Sequence, residues 1–169
     1  MSAQHQLSGT ALRPLERSLT IALLKARDSV MARFRPLLQR NGFTEQQWRV
    51  IRVLAERSSC DASELAAASC ILPASLSRIL RALQQAGILV FSPSDADSRR
   101  LVVTLTGNGR RHFQDMGIES ERIYRQIEQD VGTAELEKIL AGVNRLTSRL
   151  ACEPAAEVMR LNGARVEGN

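Results

Sequence analysis

The sequence predicts a mainly α-helical protein that carries one short β-hairpin, and three observations predict it. Helix-forming residues dominate the 169-residue chain, and aromatic residues make up only 4% of it. Apolar residues recur at helical spacing, as in Leu76, Ile79, Leu80 and Leu83, which share one face. After Ala86-Gly87 the pattern changes. An apolar run, Ile88-Leu89-Val90-Phe91, leads to a polar tip, Ser92-Pro93-Ser94-Asp95-Ala96-Asp97-Ser98-Arg99-Arg100, and then to the alternating segment Leu101 to Thr106. Helix, strand, charged turn, strand is the sequence form of a winged helix-turn-helix with a two-stranded β wing. Its dominant use is reading duplex DNA.

Each element has a local reason. Residues 1–17 lack periodicity, contain Gly9 and Pro14, and read as an arm. Ser18 caps a first helix whose stripe is Leu19, Leu23, Ala26, Val30, Phe34 and Leu37. Pro36 is expected to kink or shorten it, because proline lacks the N–H that the helix interior needs. Asn41-Gly42 ends it. Thr44 with Gln47 forms a capping box that opens a second helix through Trp48, Ile51, Leu54 and Ala55. Ser58-Ser59-Cys60 reads as a break or a short strand, and Asp61 with Glu64 opens a short helix through Ala68. Pro73 suits the first turn of the next helix. A long helix follows Thr106 to about Val131, through Phe113, Met116, Ile123, Tyr124 and Ile127. Thr133 caps a last helix striped by Leu136, Ile139, Leu140, Val143, Leu146 and Leu150, and 153–169 read as a tail. The expected organisation is a DNA-binding module at 44–106, with 18–43 and 107–152 as a helical dimerisation region. Long apolar-striped helices outside a small module bury that stripe on a partner, most simply a second copy, and a symmetric dimer suits a pseudo-palindromic operator.

Charge and composition set bounds. The net charge of +5 favours a polyanionic partner. No signal peptide opens the chain and no apolar run has transmembrane length, so a cytoplasmic protein with no membrane partner is expected. Cys60, Cys70 and Cys152 are an odd count with no close pair, which speaks against a disulfide framework. Cys70 reads as a small buried hydrophobe near the module core. The two histidines, His5 and His112, have no partners at metal-ligand spacing, and neither a phosphate-binding loop nor a nucleophile elbow is present. No enzyme, no metal and no cofactor is expected.

Two groups of residues carry candidate chemistry. Opposite the apolar face of the helix at 73–85 lie Ala74, Arg78, Arg81 and Gln85, flanked by Ser75 and Ser77. Such a small, polar, basic face fits a major groove and offers donors to bases and phosphates. A solvated helix face is the plainer reading, and the arginine-tipped hairpin that follows tips the balance towards DNA. Trp48 and Arg52 lie four apart on one helix, and Tyr124 is the single tyrosine. An aromatic wall, a guanidinium and a phenol would serve a hydroxylated aromatic acid. Equally, Trp48 can be core and Arg52 can pair with an acid on another helix.

Asp97-x-Arg99, followed by the strand ending Leu105-Thr106, resembles the signature of MarR-type regulators, and the likeness runs from about Leu19 to Leu150. It implies that the wing arginine, Arg99, enters the minor groove, that Asp97 orients it, and that Arg100 adds a phosphate contact. A narrow minor groove concentrates negative potential and attracts arginine. The strings Leu19-Thr-Ile-Ala-Leu-Leu-Lys-Ala-Arg27, Phe34-Arg-Pro36, Thr44-Glu-Gln-Gln-Trp-Arg49 and Cys70-Ile-Leu72 resemble one branch, the regulators of homoprotocatechuate and hydroxyphenylacetate degradation operons. That branch implies a dimeric repressor of an aromatic catabolic operon, released by a small aromatic carboxylic acid. The acid would lie among Trp48, Arg52 and Tyr124, with Ser18 and Thr20 at the start of the first helix and Glu45 near Trp48. The chain departs from the branch at Leu72-Pro73-Ala74-Ser75, which replaces a Leu-Arg-Pro-Ser pattern, so the operator sequence does not carry over. Two rival functions share the fold: a thiol or peroxide sensor, although none of the cysteines lies near the start of the first helix, and an architectural dimer without an effector.

Overall fold

The computed structural model describes residues 14–94 and 101–151. After a 3-10 turn at Leu15–Arg17 the order is α1 (Leu19–Arg40), α2 (Glu45–Arg57), β1 (Ser59–Cys60), α3 (Ala62–Ser69), α4 (Pro73–Gln85), β2 (Leu89–Pro93), β3 (Leu101–Leu105), α5 (Gly107–Val131) and α6 (Thr133–Ala151). The chain divides into two compact units, Met1–Ile123 and Tyr124–Asn169. No single helix among the described residues is long and apolar enough to cross a membrane.

The caps form as local chemistry dictates. Thr44 Oγ1 accepts from the Gln47 amide while the Gln47 side chain accepts from the Thr44 amide, and Asp61 and Glu64 make the same reciprocal pair. Gly87, with φ +67°, ends α4: its N–H donates to Gln84 and the next N–H, of Ile88, donates back to Leu83.

In the first unit the core gathers Phe34, Leu37 and Leu38 of α1, Trp48, Val50, Ile51 and Leu54 of α2, Leu65 of α3, the four apolar residues of α4, and Met116 and Ile123 of α5. Cys60, Leu89, Val103 and Leu105 add the sheet's inner face. The sheet has three strands in the order β1-β3-β2, all antiparallel. Within the Ser58-Ser59-Cys60 break, Ser58 caps the end of α2 and Ser59-Cys60 form a strand that pairs with Thr104 and Val103 and ties the hairpin base to α2.

Three expectations need correction. Helix α1 passes through Pro36 without being shortened, because its last turns are fixed from outside by the burial of Phe34, Leu37 and Leu38. Ser92 and Pro93 belong to β2 rather than to the tip, pairing with Val102 and Leu101. Strand β2 is an edge, where the missing N–H of a proline need not find a partner. Cys70 is exposed, not buried: it closes α3 in the left-handed region at φ 50°, ψ 48°, which turns its side chain out of the core.

In the second unit, α6 buries none of its residues, and Ile139, Leu140, Val143 and Leu150 lie exposed along one stripe. Ahead of its buried Phe34, α1 likewise exposes Leu19, Leu23 and Val30.

Candidate DNA-reading face and effector site

Helix α4 has two faces of opposite character. Leu76, Ile79, Leu80 and Leu83 are buried, each contributing roughly 1.5–3 kcal/mol by leaving water. Opposite them Ala74, Ser77, Arg78, Arg81 and Gln85 are exposed and Ser75 is half-buried. Ser77 Oγ donates to the Pro73 carbonyl, which leaves its lone pairs outward. Pro73 is the first helical residue, and Leu72 before it is 76% exposed with no side-chain cap. The departure from the Leu-Arg-Pro-Ser pattern therefore puts an apolar residue at the entry to this helix. Asp97, Arg99 and Arg100 lie outside the described residues.

The hairpin is anchored at its base. Thr106 Oγ1 donates to the Gly87 carbonyl at 2.6 Å and accepts from the Gly109 N–H at 3.0 Å, and the Thr106 N–H donates to Ile88. Thr106 thus joins the end of α4, the residue that leads into β2 and the first turn of α5.

The candidate effector residues are spread over several elements. Trp48 is 5% exposed and stacks on Phe113 of α5, with centroids 5.7 Å apart and planes inclined by 29°. Arg52, one turn along α2, is half-exposed and lies 3.8 Å from Glu56 on the same helix. Ser18 is the N-cap of α1, and its Oγ lies 3.0 Å from Thr20 Oγ1. Glu45 is clamped by two guanidiniums: Arg35 Nε donates to it at 3.0 Å and Arg27 pairs with its other oxygen. Arg35 also pairs with Asp28. Burial works to raise the Glu45 pKa, but the hydrogen bonds from Arg35 and Arg27 outweigh it and hold the carboxyl below its ordinary value. The Arg35 hydrogen bond lowers Asp28 too. Tyr124 opens the second unit, partly exposed on α5.

Sequence reasoning missed Phe113 as the stacking partner, having placed it only on an apolar stripe, and met Arg27 and Arg35 only within strings that carry the family likeness, with no role. Asp28 and Arg35, seven apart on one helical stripe, were the available signal for a charged face on α1. Cys60 is buried, and that burial pushes its thiol up against the opposing effect of Arg57. A raised thiol pKa is the reverse of what a reactive thiolate needs.

Residues 43–101 match the model of the MarR family. The chain is 39% identical over 122 residues to the homoprotocatechuate degradative operon repressor of Escherichia coli, covering 72% of this chain and 82% of that one. Among solved structures, the transcriptional regulator PA4135 superposes with a TM-score of 0.75 at 37% identity, over 84% of this chain and all of that one. NadR in complex with 4-hydroxyphenylacetate superposes with a TM-score of 0.70 at 35% identity, over 79% of this chain and 99% of that one. Family model, sequence relatives and winged-helix architecture agree: the chain belongs to the MarR family of transcriptional regulators.

Proposed function

We propose that the protein is a dimeric repressor of an aromatic-compound catabolic operon, released from its operator by a small aromatic carboxylic acid. The observation that carries the DNA half is the two-faced α4 beside an anchored hairpin. A buried apolar face fixes the helix, and Ser75, Ser77, Arg78 and Arg81 are left for a major groove. Arg99, oriented by Asp97, would enter the flanking minor groove, and Arg100 would meet a phosphate. The exposed apolar residues of α6 and of the first half of α1 support a second copy as partner.

The effector half rests on Trp48, Arg52, Glu45, Ser18 and Thr20, together with the likeness to NadR, whose solved complex holds 4-hydroxyphenylacetate. Arg52 takes the carboxylate, Trp48 with Phe113 supplies the aromatic wall, and the hydroxyls of Ser18 and Thr20 serve the polar end. Tyr124 is the further hydroxyl partner on the strength of the resemblance alone. Acid and operator then act on each other through one coupling free energy, which is reciprocal.

The test is fluorescence anisotropy with a duplex selected from a random library, titrated with 4-hydroxyphenylacetate. Release of the duplex at fixed salt supports the proposal. Binding without sequence preference and without response to the acid returns the architectural reading, and release by peroxide alone returns the thiol sensor.

A further inference from the structure

Leu72 is the most exposed large apolar side chain among the described residues, at 76%. It stands where α4 begins. Pro73 and Ala74 after it are exposed as well, so three consecutive apolar residues meet water at the mouth of the helix. A single exposed leucine is ordinary on a folded protein, whereas a run of three asks for a partner. The run passes directly into the polar face, because Ala74, Arg78 and Arg81 lie at i, i+4 and i+7. Behind it an open cleft of about 450 Å³ runs along α3, lined by Ser63, Ala66, Ala67, Cys70, Leu72 and Pro73, with no ionised side chain among the described residues. Such a surface offers a phosphate no cation.

The backbone of the mouth is fixed from both sides. Leu72 is extended, at φ −61° and ψ 138°, and its carbonyl accepts from the Ser75 and Leu76 N–H groups at 2.9 and 3.0 Å. Pro73 fixes the next φ. On the other side Ile71 is buried, and its N–H donates to the Ala66 carbonyl at 3.0 Å. Arg49 Nη1 reaches the Cys70 carbonyl at 3.4 Å. The Leu72 side chain therefore projects from a backbone that has little freedom left to lose on meeting a partner.

We infer that the mouth of α4 selects thymine in the operator, with Leu72 packed on the thymine C5-methyl group and Ala74 beside it. The inference rests on the reading of α4 as the helix that enters the major groove, and it names what the first residues of that helix read there. Residues at the start of such a helix meet base edges. On the major-groove edge the thymine C5 carries the one methyl group. Guanine shows two acceptors there, adenine an acceptor and a donor, and cytosine a donor amine. Leucine strips water from those polar groups and returns no hydrogen bond. Selection is thus two-sided: the methyl leaves water on Leu72, and the other bases are penalised. An arginine at the mouth would favour guanine instead, and this chain has Pro73 where the related Leu-Arg-Pro-Ser pattern has that arginine.

The test uses the full-length protein and the selected duplex, by fluorescence anisotropy at fixed salt. The thymines of the half-sites are replaced in turn by deoxyuridine, which pairs as thymine does and lacks only the C5-methyl. At the position under Leu72 the parent should bind about fourfold more weakly for each methyl removed, the worth of one buried carbon. The salt dependence should keep its slope, because no phosphate contact is touched. Leu72→Ala should bind the thymine duplex more weakly than the parent and should no longer tell it from the deoxyuridine duplex. Leucine and alanine are equally poor at an N-cap, so the variant should melt with the parent. The ratio of the two affinities is taken within one protein, so any loss of folded material cancels. A parent indifferent to every replacement overturns the inference. So does a Leu72→Ala protein that keeps the parent's ratio, which moves the reading of the methyl to another residue or to duplex shape. Both results leave the repressor reading standing. A parent that selects no duplex from the library overturns both.

Discussion

Gly109 lies so close to Ile88 that a Cβ at position 109 would stand 2.1 Å from the Ile88 carbonyl oxygen. The first turn of α5 therefore packs directly on the backbone that leads into β2, at the point where the Thr106 hydroxyl already bonds to both Gly87 and Gly109. Gly109→Ala must push backbone away from backbone. It should destabilise the protein by about 2 kcal/mol, the usual cost of overpacking, and Thr106→Ala by about 1 kcal/mol, the cost of a lost cap. Denaturant unfolding of the two variants checks both values. A parental midpoint for Gly109→Ala would contradict the close approach.

The clamp on Glu45 sets a pH dependence. Its folded pKa is lowered by Arg35 and Arg27 against the effect of burial, so its contribution to stability is present above the ordinary glutamate pKa. That contribution is lost as pH falls through the lowered folded value, that is, below about pH 4. Its size should be no more than about 1 kcal/mol, since both arginines are in contact with water. Glu45→Gln should flatten the acid limb of a stability–pH curve and leave the neutral region nearly parallel to the parent. An unchanged acid limb would show that the clamp adds nothing.

Substitutions at the proposed DNA-reading face should separate affinity from folding. Arg78→Ala and Arg81→Ala change exposed residues opposite the buried stripe of α4, so melting should stay parental while duplex binding weakens. Arg99→Ala should weaken it substantially and Asp97→Ala less, if the wing arginine reads the minor groove. The footprint should be an imperfect palindrome with half-sites about one helical turn apart, roughly 10 base pairs. Binding by Arg99→Ala as tight as the parent's at equal salt would remove the wing assignment.

Assembly should depend on the apolar stripe of α6. Leu140 is 55% and Val143 39% exposed, and neither supports the fold of the single chain. Replacing both with glutamate should leave helical content intact, yield monomers by light scattering, and abolish tight binding to the palindrome. A dimeric double variant would move the interface elsewhere.

For the effector, Arg52→Ala should weaken 4-hydroxyphenylacetate binding by about one to two powers of ten and spare the methyl ester. Trp48→Ala should cost about 3–5 kcal/mol of stability as well as affinity, because the indole is buried against Phe113. Calorimetry has to be paired with melting to separate the two effects. Equal affinity of the parent for acid and ester would leave only an apolar pocket.

The legible and the illegible parts of this protein divide along a physical line. Apolar spacing, the Thr44 and Asp61 caps, Gly87 and Pro73 act within a few residues, and they set the order and nearly all the boundaries of the helices and of the hairpin. The polar face of α4 was legible for the same reason, since burial of its opposite face fixes which side faces out. Contacts between distant segments were not. Pro36 stays inside α1 because its neighbours on that helix are buried against other elements, and Pro93 stays in β2 because that strand ends up at an edge. The arginine clamp on Glu45, the stack of Trp48 on Phe113 and the reach of Arg49 to the Cys70 carbonyl join residues between ten and sixty-five positions apart. Periodicity tells which residues leave water, but the partner each one meets is decided only when the elements pack.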